Sequence, residues 1–168
     1  MFSKCQLIKI PQLSGPKGSV YTILIDDEQI SPFQKFVSRY KISFKSEIND
    51  IVSRLKVMGF KRGMNEGYFK LYEGNPGDGV CALYDKDKSN LRLYCIRYGS
   101  QLIILGGGAQ KPKTIRTLQD DPDLKRENYI LRDLSKLITE KMQDKEIQLS
   151  EDGLDFEGEL TIEKLDYE

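Results

Sequence analysis

Two strand-like runs meet at Gly99-Ser100, and that junction constrains the fold of this 168-residue chain more than any other feature. Residues 91–98, LRLYCIRY, set Leu91, Leu93 and Cys95 on one face and Arg92, Tyr94 and Ile96 on the other, the two-residue period of a β-strand. Beyond the junction, Leu102 to Leu105 is apolar without alternation, as a strand buried on both faces requires. A two-residue connection between such runs fits a tight hairpin. The pairing sets the start of the first strand beside the end of the second, so Arg92 is expected near residues 106–111.

The rest of the chain supplies partners for that hairpin. GYFKLYEG (67–74) and VCALYD (80–85) are short strand patterns split by the turn residues Asn75-Pro76-Gly77-Asp78-Gly79, which extends the hairpin into an antiparallel meander. SVYTILI (19–25) predicts an earlier strand. Ser31 as N-cap and Pro32 at the first helical position open a helix through about Tyr40. A second begins near Ser46 and Glu47, carries the stripe Ile48, Ile51, Val52, Leu55 and Met58, and is expected to end at Gly59. Asp120-Asp121-Pro122 starts a third, which runs to about Met142 with Ile130, Leu131, Leu134, Leu137, Ile138 and Met142 along one side. The predicted fold class is α+β, a small antiparallel sheet with two N-terminal helices and a C-terminal helix packed on it.

Composition narrows the chemistry. The chain has no His, which excludes Ser-His-Asp and Cys-His catalysis, histidine-ligated zinc and imidazole proton transfer. Cys5, Cys81 and Cys95 are odd in number and lack CxxC spacing, so neither a disulfide framework nor a thiolate metal site is expected. They read as three reduced thiols of a cytoplasmic protein. The longest apolar runs fall far short of the roughly 20 residues that cross a bilayer. Lys4 and Lys9 interrupt the apolar N-terminal stretch, against a secretory signal.

The zero net charge conceals two unlike parts. From Asp144 to Glu168 there are two lysines and ten acids, 2 − 10 = −8, so residues 1–143 hold +8. This divides the chain into a basic body, 1–143, suited to polyanions, and an acidic extension, 144–168, whose turn signals at Asp152-Gly153 and Glu157-Gly158 fit a small hairpin. The extension either screens the body, reaches a basic partner, or merely adds a strand to the sheet.

Gly106-Gly107-Gly108 invites comparison with phosphate loops, but GGGAQKPKT lacks the GxxxxGK[ST] spacing and a βαβ setting, so the glycines read as a strand end or bulge of close backbone approach. Asp85 with Asp87, and Asp120 with Asp121 and Asp123, occupy turn and helix-start positions, which argues against paired-carboxylate or metal chemistry. What remains is basic and aromatic: Arg92, Tyr94, Arg97 and Tyr98 on one strand, with Lys111, Lys113 and Arg116 beyond its partner. As one surface, these would neutralise phosphates, stack a base and stabilise a pentavalent phosphate, and RNA can supply its own 2′-hydroxyl nucleophile. As solvated edge decoration they would do none of this. An Arg92 turned into the interior would end the nuclease reading.

The segment NLRLYCIRYGSQLIILGGGAQKPKTIRTLQDDPDL resembles the C-terminal half of the RelE/ParE/HigB-like toxin superfamily, in particular its HigB-like, phage-derived branch. The family pattern is a Y-R-[LIV]-x-Y strand, a short turn, an apolar strand, a basic segment and an acid-rich helix start. The likeness covers about residues 19–143. It implies a type II toxin, a ribosome-dependent endoribonuclease cutting messenger RNA by metal-independent 2′-hydroxyl attack, with no cofactor and a cognate antitoxin of helix-turn-helix type as partner. Carried across, Arg92 matches the strand arginine on the scissile phosphate and Lys111 or Lys113 the basic residue after the last strand. Tyr94, Arg97 and Arg116 stand as RNA-contacting positions. Pro112 splits the usual basic pair, and no C-terminal His or unambiguous Tyr is present. The resemblance equally admits a non-catalytic RelE/ParE-like module that binds a protein such as gyrase or a regulator.

Overall fold

The N-terminal residues KCQLIK already contain what the hairpin reading overlooks, because alternate burial of Cys5 and Leu7 makes Lys4–Lys9 a strand. The computed structural model describes residues 2–112 and 121–164. In chain order its elements are β1 (Lys4–Lys9), β2 (Ser19–Ile25), α1 (Pro32–Tyr40), α2 (Lys45–Val57), β3 (Phe69–Lys70), β4 (Val80–Leu83), β5 (Leu91–Tyr98) and β6 (Leu102–Gln110). There follow α3 (Pro122–Gln143), β7 (Ile147–Leu149), β8 (Phe156–Gly158) and β9 (Thr161–Glu163).

Seven strands form one mixed sheet in the order β3-β4-β5-β6-β2-β1-β9, and β7 pairs with β8 apart from it. This corrects the expected small antiparallel meander. The β3–β6 meander is present, but its last strand β6 also pairs in parallel with β2, with Ser19 opposite Leu102, although α1, α2 and β3–β5 separate the two in sequence. Pairing of strands so far apart leaves no local signature. The helices are also divided between faces. α1 and α2 bury Phe33, Phe36, Ile51 and Leu55 against Leu93, Cys95, Ile103 and Leu105, whereas α3 buries Leu124, Leu131, Leu134 and Ile138 against Ala82, Tyr94, Ile96 and Ile104.

Helix starts follow the sequence closely. Ser31 Oγ accepts from the Gln34 amide at 3.1 Å and Gln34 Oε1 accepts from the Ser31 amide at 2.9 Å, a capping box ahead of Pro32. Asp121 caps α3 by accepting from the amides of Asp123 and Leu124. Gly59, expected as a helix end, is instead wound into a wider turn over Met58–Arg62, where a β-carbon would strike the Leu13 carbonyl. The helical path stops at Gly63, whose φ of 82° is open to glycine.

The described part of the acidic extension belongs to the same core. Ile147, Phe156 and Ile162 are buried with the α3-side cluster, β9 pairs with β1, and the Phe156 amide donates to the Tyr21 hydroxyl at 3.0 Å.

Candidate functional site

β5 and β6 pair as a hairpin, with Arg92 opposite Ala109 and Leu91 opposite Gln110, but the connection is the three residues 99–101 and not the expected two, since Tyr98 stands opposite Leu102. The Lys111 amide then donates to the Asn90 carbonyl at 2.7 Å, which keeps the basic residue beside the start of β5. Arg92 and Lys111 are thus brought together. What joins them is a carboxylate: Arg92 approaches Asp85 through Nε and Nη2 at 3.3 and 3.1 Å, and Lys111 Nζ lies 3.0 Å from the second oxygen of the same group.

Lys70 completes the ring around Asp85 at 2.7 Å, and Glu73 takes the remaining guanidinium edge of Arg92 at 3.1 Å. Three cations face two carboxylates. Asp85 comes just past the all-buried strand β4, so its side chain enters the protein, and its side chain is only 7% exposed, Arg92's 6% and Lys111's 9%. Lys111 also donates to the Lys86 carbonyl and to Ser89 Oγ. α3 is tied to one side of the cluster, where Asn128 and Arg132 both donate to the Glu73 main-chain carbonyl.

Burial alone would raise the Asp85 carboxyl, but hydrogen bonds from Arg92 and Lys70, with the Arg92 charge and the Lys111 hydrogen bond, reverse it and hold the group below its ordinary range. Burial likewise opposes the charged form of Arg92, and the hydrogen bond and charge of Asp85 outweigh it, raising its pKa. The geometry is that of a hydrogen-bonded internal ion cluster. An incoming phosphate would have to displace a carboxylate that the fold itself holds in place.

The other predicted residues scatter. Tyr94 is 3% exposed, packs under α3, and has its phenol pKa raised by that burial, so it offers no face for a base. Arg97 donates to the Met64 carbonyl at 2.8 Å and lies over the Phe69 ring. Lys113 and Arg116 lie outside the described residues. Sequence reasoning missed Asp85, Glu73 and Lys70. Asp85 looked like a turn acid, although an unbroken apolar strand immediately before it was a signal for burial.

Gly106 to Gly108 lie inside β6 instead of ending it, and they serve close packing. A β-carbon at Gly106 would come within 2.7 Å of the Leu131 side chain and one at Gly107 within 2.5 Å of Glu127, so the glycines let α3 settle on the sheet. At Gly108 it would meet the Arg92 carbonyl across the ladder, next to the irregularity between Leu93 and Cys95.

Beside Asp85, between α2 and the β4–β5 end of the sheet, a cavity of about 480 Å³ is lined by Glu47, Asp50, Arg54, Tyr84, Leu83 and Leu93, among others. Glu47 spans its wall by accepting from the Asn90 amide and side chain. Among the described residues, no cluster of His, Cys, Asp and Glu could hold a metal ion, and no helix is long and apolar enough to cross a membrane. Compared with known proteins, the chain matches no family model, no curated protein and no solved structure.

Proposed function

We propose that this chain is a RelE/ParE-like cytoplasmic protein that acts by binding a protein partner, a helix-turn-helix antitoxin or a target such as gyrase, and not by cutting RNA. The observation that carries this choice is the Asp85 cluster. The two residues with the strongest claim to grip a scissile phosphate, Arg92 and Lys111, are buried and matched to carboxylates. A desolvated arginine whose Nε, Nη1 and Nη2 all serve internal carboxylates is not free to grip a substrate phosphate. The family part of the reading rests on the sequence pattern of residues 90–124 alone.

The test is to express the protein and its Arg92→Ala and Lys111→Ala variants in a bacterium, map the ends of translated messengers, and measure plasmid supercoiling. The expected result is intact messengers in all three strains, with any growth or supercoiling effect arising without RNA loss. Cuts in translated messengers that disappear with Arg92→Ala would overturn the binding reading in favour of the nuclease.

A further inference from the structure

Two of the three cysteines, remote in sequence, are neighbours in the sheet. Cys81 on β4 and Cys95 on β5 are directly opposed. The Arg97 amide donates to the Gly79 carbonyl at 3.0 Å, so residues 79 and 97 form a hydrogen-bonded pair, and two positions along the ladder Cys81 and Cys95 repeat it. Residues paired in this way have Cα atoms about 5.5 Å apart, within the span that a disulfide bridges. Both side chains point to the α1–α2 face, and their sulfurs stand 3.5 Å apart. A sulfur–sulfur bond of about 2.05 Å therefore needs only about 1.5 Å of closure. Cys5 is buried in the cluster on the opposite face and cannot compete while the fold is intact.

We propose that Cys81 and Cys95 are a redox modification site, converted to a cross-strand disulfide by a small disulfide oxidant such as oxidised glutathione. One thiolate attacks the oxidant, forming a mixed disulfide and releasing a first glutathione thiolate. The second thiolate attacks the protein sulfur of that mixed disulfide and releases a second. The two thiol protons pass through solvent to the two leaving thiolates, and the protein gives up two electrons.

Directly opposed β-carbons stand about 4.5–5.5 Å apart, wider than the roughly 3.8 Å a relaxed disulfide prefers, so the bond carries strain and is readily reduced again. Access sets the rate. Both thiols are buried, and the Cys95 thiol is held protonated first by its contact with Cys81 and then by burial. Attack follows opening of the nearby edge, where β4 is flanked by the two-residue strand β3. Leu83 and Leu93 lie two residues along, on the same face, in the floor of the 480 Å³ cavity, so the cross-link fixes that floor.

The experiment treats the full-length protein with oxidised glutathione, with and without sub-denaturing urea, then unfolds it, alkylates free thiols and maps tryptic peptides. Cleavage after Lys70, Lys86, Arg92 and Arg97 places the two cysteines on separate peptides. The expected product links those peptides, leaves Cys5 alkylated, retains no glutathione, forms faster in urea, and returns to three alkylatable thiols with dithiothreitol. Cys81→Ser should instead keep a glutathione adduct on Cys95. Three free thiols after treatment in urea, stable adducts on both cysteines of the unmodified sequence, or a link to Cys5 would each overturn the assignment. The wild-type peptide map decides this even if the variant does not fold.

Discussion

Replacing Asp85 with Asn would leave Arg92, Lys70 and Lys111 converging on a neutral amide, with Glu73 the one acid paired with them among the described residues. Removing one partner of a buried ion pair costs about 3–5 kcal/mol, so Asp85→Asn should lower the urea midpoint sharply, and an unchanged midpoint would contradict the cluster. The pH dependence has a definite sign. Because the folded carboxyl is depressed from 3.8, Asp85 contributes stability above that pH, lost as pH falls through the lower folded value. Glu127 behaves in the opposite way. Burial chiefly raises its pKa from 4.5, and Oε2 has no hydrogen-bond partner among the described residues, so charging it as pH rises above that value weakens the fold. Glu127→Gln should therefore raise the thermal midpoint at pH 7 more than at pH 4, and an equal change at both would dismiss that account.

At the scale of elements, the glycine tract separates two kinds of close contact. Gly108→Ala sets a methyl against backbone on β5 and should cost about 3 kcal/mol or more, whereas Gly106→Ala presses on the flexible end of Leu131 and should cost about 1 kcal/mol. Denaturant titration of the two variants distinguishes them. The same region marks what a linear reading can and cannot reach. Pairing of β5 with β6, the faces of Leu93 and Tyr94, the burial of residues 102–105 on both sides and the caps at Ser31 and Asp121 are all legible, because each depends on neighbours within about 20 residues. β1 was missed because only Cys5 and Leu7 face inward between lysines, and the parallel β2–β6 contact because it joins distant segments. Alternation assigns Arg92 a face but not its partners, and here the Asp85 and Glu73 carboxylates hold it inside.

Across the whole molecule the described part of the acidic extension, residues 144–164, is structural. Deleting residues from Asp144 onward removes Ile147, Phe156 and Ile162, each buried, together with the Lys9–Asp155 ion pair at 2.6 Å. At about 1.5–3 kcal/mol per large apolar side chain, the loss is comparable to the entire stability of a typical domain. Circular dichroism of the truncated chain should show no cooperative melt, and an unaltered melt would return the extension to the status of a solvated tail. The pairing of β1 with β9 ties the first strand of the sheet to the last. In synthesis β1 leaves the ribosome well before β9, so it stays half-paired until that strand follows. Closing that side of the sheet is a long-range step, of the kind that folds slowly.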